Sequence, residues 1–136
     1  MPEGLEVEIF RRAAARAVGR PIASVLIDGR QEMAQEIPMA LVGGSITAAR
    51  RIGKLLLLDL EAAGAEALGI HFGMTGRLIL DGDAPIGALE YGSGRDDSAW
   101  DRFVVTFDDG GVMRVNDPRR WARYILDPVE GRLGPD

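Results

Sequence analysis

The sequence predicts an α+β domain that is mainly β, a two-layer β-sandwich with an N-terminal helix and a flanking short helix. Three observations lead to this fold class. A helical apolar pattern lies near the N-terminus, and many short β-type runs separated by glycine-containing turns follow it. The chain has 136 residues, 46% of them hydrophobic, which suits a single domain with a real core.

The first predicted element is an amphipathic helix over residues 6–18. Apolar residues recur there every three or four positions, the spacing of one helical face. Gly19 and Pro21 follow, and a C-terminal glycine with a proline just beyond it is typical of a helix end. The helix therefore ends before the first strand.

The remaining elements are predicted mostly as strands. Asp108-Asp109-Gly110-Gly111 has the composition of a tight hairpin turn between two of them. The stretch 82–98, rich in Gly, Asp and Ser, is predicted to be a loop. In chain order we predict a strand over 22–27, a short helix over 38–42, and strands over 45–51, 55–60, 67–72, 77–80, 103–107, 112–115 and 121–126.

Composition excludes several classes of protein. The chain has no cysteine, so it holds neither a disulfide nor a Cys-based zinc site. No apolar run of eighteen residues and no signal-like N-terminus is present, which favours a cytoplasmic, intracellular location and no membrane partner. The net charge of −5 argues against a simple nucleic-acid binder, but the arginines cluster at 50–51 and 114–123.

Two residues near these clusters suggest chemistry. Lys54 is the single lysine, against fifteen arginines, and a lysine can lose a proton where an arginine cannot. Pro2, once the initiator methionine is removed, presents a secondary amine that can attack an electrophilic carbon and form an iminium. The alternative for Pro2 is an accident of translation initiation, and for Lys54 a surface lysine in a turn.

Four motifs occur in order along the chain: Met1-Pro2-Glu3-Gly4-Leu5-Glu6-Val7-Glu8, Arg51-Ile52-Gly53-Lys54, His71-Phe72-Gly73-Met74-Thr75-Gly76-Arg77-Leu78, and Asn116-Asp117-Pro118-Arg119-Arg120-Trp121. With these motifs the whole chain resembles the N-terminal domain of the formamidopyrimidine-DNA glycosylase / endonuclease VIII family. The resemblance implies a bifunctional base-excision repair enzyme, a DNA glycosylase with AP lyase activity. Its partner would be double-stranded DNA containing oxidised bases or abasic sites, and a monomer is expected.

By the resemblance, residues 1–136 form the N-terminal catalytic domain. The helix-two-turn-helix and zinc-finger regions of the family have no counterpart in this sequence, so no cofactor is expected in this chain and zinc only in such a C-terminal region. That region normally supplies half of the DNA clamp. We therefore predict that this chain alone binds DNA weakly and has little or no activity.

The resemblance assigns the catalytic roles. Pro2 would attack the anomeric carbon of the sugar, Glu3 would shuttle protons, and Lys54 would contact the phosphate beside the lesion and assist elimination. For Glu3 the alternative is a helix-start carboxylate favoured by the helix dipole.

The resemblance also assigns DNA-binding roles to five residues: Glu6, His71, Met74, Arg119 and Trp121. Met74, Arg119 and Trp121 match the side chains that fill the gap left by a flipped nucleotide. The alternative for Met74 and Trp121 is core packing, for Glu6 an exposed helix position, and for His71 a hydrogen-bonded structural histidine.

Departures from the family pattern leave the choice between oxidised purines and pyrimidines open. Gly4 resembles the endonuclease VIII branch, and Trp121 replaces a phenylalanine. Trp100 stands where a histidine often contacts DNA, and Arg102 is a candidate to supply that charge instead. Two other functions stay as alternatives: a catalytically silent lesion- or DNA-binding relative, and an N-terminal-proline tautomerase, which the helix directly after Pro2 disfavours.

Overall fold

The computed structural model describes residues 4–82 and 98–129. Two four-stranded antiparallel sheets face each other, and two helices flank them. The predicted class, a mainly β two-layer sandwich with an N-terminal helix and a short flanking helix, is confirmed. In the described part of the chain, no helix is long and apolar enough to span a membrane.

The elements, in chain order, are α1 (Gly4–Ala14), a 3₁₀ turn (Ala15–Ala17), β1 (Ile22–Ile27), α2 (Glu36–Leu41), β2 (Ser45–Ile52), β3 (Leu55–Glu61), β4 (Ala67–His71), β5 (Arg77–Leu80), a second 3₁₀ turn (Ser98–Trp100), β6 (Asp101–Phe107), β7 (Val112–Asn116) and β8 (Arg123–Leu126). The first sheet has the order β1-β6-β7-β5, and the second has the order β2-β3-β4-β8. Most of the predicted loop over 82–98 lies outside the described residues.

The core lies between the sheets and under α1. Phe103 of β6 and Tyr124 of β8 meet across it, with ring centroids 5.0 Å apart. α1 packs on β2, β3 and β5, and so contacts both sheets at one end of the sandwich. Burial of this apolar surface is the main force that holds the two layers together.

Several element boundaries differ from the predictions: α2 covers Glu36–Leu41 rather than 38–42, β6 begins at Asp101 rather than residue 103, and β4 ends at His71 rather than residue 72. Two further differences have a local reason. The first helix begins at Gly4 rather than residue 6, and its last turn narrows to a 3₁₀ turn before Gly19, where φ is +83°. β8 begins at Arg123, not at residue 121, because the residues before it form a loop with a positive φ of +58° at Arg120. The hairpin turn before β7 is confirmed: Phe107 N–H donates to the Gly111 carbonyl at 2.9 Å.

Candidate nucleic-acid interface

The start of α1 is fixed by packing. Pro2 and Glu3 lie outside the described residues, and the helix begins immediately after them at Gly4. Phe10 is fully buried and packs on Phe72 with ring centroids 4.6 Å apart. Because Phe72 follows His71 directly, α1 is held against the segment that carries the third motif.

Ion pairs hold the same helix beside β2. Arg11 donates to the Glu8 carboxylate through Nε at 2.8 Å and Nη2 at 2.7 Å, and Arg51 Nε lies 3.6 Å from Glu8 Oε1. The hydrogen bonds from Arg11 lower the pKa of Glu8 to about 2. Gly4 is four residues before Glu8, about 6 Å along the helix axis. The beginning of α1, with the half-buried Glu6, therefore lies near the end of β2.

Lys54 occupies the turn between β2 and β3. Ile52 pairs with Leu55, so Gly53 and Lys54 form a two-residue turn, and Gly53 has the positive φ of +58° that favours glycine at its first position. Arg51 Nη1 donates to the Gly53 carbonyl at 2.8 Å and stiffens the turn. Lys54 is thereby placed at the end of the second sheet.

His71 is the last residue of β4, between Leu55 of β3 and Arg123 of β8. Its Nδ1 accepts a hydrogen bond from Gly73 N–H at 3.2 Å, so in the neutral ring the proton is on Nε2. Partial burial, and then the charges of Arg123 and Lys54, lower the pKa of His71 below its ordinary value. The imidazole is therefore a neutral hydrogen-bond donor near pH 7.

Met74 lies in the tight turn after β4 and is half-buried. Gly73, with φ of +68°, touches Trp121: a Cβ at position 73 would lie 2.7 Å from Trp121 Cβ. Gly76 N–H closes the turn by donating to the Phe72 carbonyl at 3.1 Å. The absent side chain at position 73 allows the Met74 turn and the Trp121 loop to meet.

Asp117 holds that loop together. Its buried carboxylate accepts hydrogen bonds from Thr75 Oγ1 at 2.5 Å, from Arg119 N–H at 3.1 Å and from Ala122 N–H at 2.8 Å. Arg102 Nε donates to the Asp117 carbonyl at 2.8 Å. One side chain thus ties the third motif, through Thr75, to the loop of the fourth.

The loop turns two large side chains outward. Arg119 is exposed, Trp121 is 44% exposed, and Arg119 Cζ lies 5.0 Å from the centroid of the Trp121 ring, within the range of a cation–π contact. Core packing, the alternative for Trp121, is therefore wrong, and Met74 is only half-buried beside it. The loop presents a guanidinium and an indole together, and Met74 directly follows Gly73, the residue that touches Trp121.

Sequence reasoning missed three contributors to this region and misjudged a fourth. Arg102 is buried and bonded to the loop backbone, so it is not the surface charge suggested for it. Asp117 was named only as a member of the fourth motif, although an Asp whose carboxylate accepts from the backbone N–H two residues later is typical of an Asx turn. Thr75 and Arg123 gave no local signal, since their roles depend on contacts between distant segments.

The described residues contain no group of three or more His, Asp or Glu side chains that could hold a metal ion. The side chains of this region suit a surface that binds anions and stacks on nucleobases. Lys54, His71 and Arg119 offer N–H donors, and Trp121 offers a face on which a base can stack.

Comparisons with known proteins agree with this description. The family model described as the formamidopyrimidine-DNA glycosylase N-terminal domain matches residues 1–124. A formamidopyrimidine-DNA glycosylase of Stenotrophomonas maltophilia is 38% identical over 140 residues, which cover 99% of this chain and 46% of that protein. The chain thus spans about half the length of the curated relatives it matches.

Solved structures give the same fold. The Lactococcus lactis Fpg (MutM) protein with DNA containing N7-benzyl-Fapy-dG superposes with a TM-score of 0.70 at 26% identity, covering 92% of this chain and 44% of that chain. The same protein with DNA containing an oxidised pyrimidine gives the same TM-score, identity and coverage. That relative has thus been seen with both kinds of lesion.

Proposed function

Because the chain belongs to the formamidopyrimidine-DNA glycosylase family, we propose that it forms the catalytic N-terminal part of a base-excision repair enzyme. Such an enzyme would remove oxidised bases from double-stranded DNA inside the cell and then cut the strand at the abasic site. The observation that carries this proposal is the joint placement of Met74, Arg119 and Trp121 by the buried Asp117.

These three side chains suit the gap that a flipped nucleotide leaves. Extrusion of a base costs stacking energy, which an inserted apolar or aromatic wedge partly replaces. Trp121 is exposed enough to stack, Met74 lies beside it, and the Arg119 guanidinium has donors for the edge of the orphaned base. Their loop is fixed from the buried side, so insertion requires little reordering.

The reaction itself is assigned to the N-terminus. After removal of Met1, the lone pair of the Pro2 nitrogen would attack the anomeric carbon, and the damaged base would leave with the glycosidic electron pair and take up a proton. The C1′–O4′ bond would then break, O4′ would take a proton, and the nitrogen lone pair would form the C=N bond of an iminium. The resulting iminium acidifies the neighbouring C–H, so loss of that proton expels the 3′ phosphate. Glu3 would move the protons, and Glu6 would lie near the lesion on the first turn of α1.

Lys54 and His71 would hold the backbone at the reacting nucleotide. Lys54 lies in the β2–β3 turn, near the strand end against which α1 begins. His71 offers a neutral Nε2–H donor beside it. A cation and a donor at this position stabilise the phosphate that departs during elimination.

Borohydride trapping on an abasic-site duplex tests the proposal. The assay compares two preparations of the full-length natural protein that carries this sequence: one beginning at Pro2, and one with a two-residue extension that caps the proline nitrogen. Intact mass is read on each sample. We expect a reduced covalent adduct, mapped to the N-terminal peptide, only with the free proline.

A matched variant separates the two amines of this chain. Lys54→Arg keeps the positive charge but removes the single lysine amine, so it should still form the adduct, with slower strand cleavage. An adduct mapped to another residue, or equal trapping with the capped amine, would contradict the assignment to Pro2. Tight, lesion-selective binding without any adduct would indicate the silent lesion-binding relative.

A further inference from the structure

Arg123 lies directly opposite His71, a residue of the proposed phosphate site, although none of the four sequence motifs contains it. The last pair of the β4–β8 ladder joins His71 to Arg123, and the neighbouring β3–β4 pair joins His71 to Leu55, which follows Lys54. Residues directly opposite in antiparallel strands have Cβ atoms about 5 Å apart and point to the same face. The side chains of His71 and Arg123 therefore point to the same face, and Lys54 lies in the turn at the end of β3, close enough for its charge to act on His71. These three residues are called the row below.

The row faces outward. Tyr124, the next residue of β8, is buried against the core, so Arg123 lies on the opposite face, and it is exposed. Within the described residues Arg123 forms no ion pair, whereas Arg11, Arg20, Arg50 and Arg114 each bond to a carboxylate. The orientation and the charge of Arg123 both suit a ligand from solvent.

The two cations act on His71. Both Lys54 and Arg123 lie close enough to His71 to disfavour its protonated form. Because Nδ1 of His71 already accepts from Gly73, the Nε2–H is the donor left for a ligand. An anion beside His71 would accept this N–H and be attracted by the charge of Arg123.

We propose that Arg123 is an additional phosphate-binding residue, which extends the site of Lys54 and His71 along the DNA backbone to β8. The inference rests on the proposed function, since it takes the anion to be a DNA phosphate. Arg123 acts by charge and position; it takes no part in bond making.

Salt-dependent binding tests this role. Anisotropy titrations with a duplex containing an abasic-site analogue would be carried out between 50 and 200 mM salt on the full-length protein. The slope of log K against log salt is negative, and loss of one phosphate contact decreases its magnitude by about 0.9. We expect that decrease for Arg123→Gln, and a slope close to wild type for Arg123→Lys, which keeps the charge.

Arg12→Gln is the matched control, because Arg12 is an exposed arginine on α1 whose guanidinium is already paired with the Glu8 carboxylate. It should leave the slope unchanged. An NMR titration of His71 tests the proximity of Arg123 without DNA. Because the charge of Arg123 lowers the pKa of His71, this pKa should rise in Arg123→Gln and remain unchanged in Arg12→Gln.

The outcomes separate the two proposals. If wild type traps the abasic duplex but Arg123→Gln keeps the full slope, the role of Arg123 is wrong and the enzyme assignment stands. An equal decrease in the magnitude of the slope for Arg123→Gln and Arg12→Gln would also contradict the role of Arg123, because the effect would then be that of any surface arginine. If wild type neither traps nor prefers the abasic duplex, both proposals fail.

Discussion

The two ends of β8 are fixed in the same way but differ in what they present to solvent. At its beginning, the buried Asp117 accepts from Ala122 N–H, and at its end the exposed Asp127 accepts from the N–H groups of Glu66 and Ala67. Beyond Asp127, Arg50 is paired with Asp59 at 2.7 Å. Beside Asp117 the loop instead turns an arginine and a tryptophan outward.

The difference shows that residues with a structural role and residues available for binding lie at opposite ends of β8. At the far end of the second sheet, where β8 ends, the charged side chains are satisfied within the protein: Arg50 pairs with Asp59, and Asp127 accepts two backbone N–H groups. The near end holds its loop by buried hydrogen bonds and exposes Arg119, Trp121 and Arg123 to solvent. Substitutions at the two ends should therefore have different consequences.

The largest expected effect is on stability, at Asp117. Asp117→Ala removes the acceptor of three hydrogen bonds in a buried site, and we expect a loss of about 3 kcal/mol or more in the free energy of unfolding. Asp127→Ala removes two bonds in a solvated site and should cost about 1 kcal/mol. Urea denaturation followed by circular dichroism measures both, and equal losses would mean that burial does not distinguish the two ends.

A smaller effect is expected where the two motif loops touch. Gly73→Ala places a methyl group 2.7 Å from Trp121 Cβ at a positive φ, and should cost about 2 kcal/mol. Gly19→Ala is the control, because Gly19 also has a positive φ but open space around it, so it should cost about 1 kcal/mol. Thermal unfolding gives the difference. If the two variants lose the same stability, the contact between Gly73 and Trp121 does not contribute to the free energy of unfolding.

The smallest effect is a pH dependence confined to the cationic end. His71 has a lowered pKa in the folded state, so the unfolded chain binds its proton first as the pH falls. The corresponding stability is complete above about pH 6.5 and is lost as the pH falls from there to the lower folded pKa. Unfolding free energies between pH 8 and 5 should show this slope in wild type and in Asp127→Ala, and a flatter one in His71→Gln. If the slope is unchanged in His71→Gln, the pH dependence of stability arises from another titratable group.

Much of the fold could be predicted because its elements carry local signals. Strands 22–27 and 77–80 were placed at their observed bounds, and the turn at Gly110 was recognised from its residues. The start of β8 was misplaced by two residues, because Asp117 takes the Ala122 N–H and keeps the preceding residues in a loop. That bond depends on a buried carboxylate, which no local pattern reveals.

In the candidate site, the sequence predicted only residues that belong to the recognised motifs. The resemblance singled out Met74, Arg119 and Trp121, and the described structure brings them together; their roles on DNA stay predictions. The positions of Thr75 and Arg123 arise from pairing between segments about fifty residues apart, through a hydrogen bond in one case and strand register in the other. Such partners are set by the assembled sandwich, not by the order of residues.

The strand order has a consequence during synthesis. β1 pairs with β6, and α1 packs on β2, β3 and β5, so every surface that holds the N-terminal helix is made after it. At about 5–20 residues per second, the ribosome needs several seconds to reach β5. Until β5 has been made, α1 lacks one of the strands on which it packs, so the packing of the helix is completed only after more than half of the chain has been synthesised.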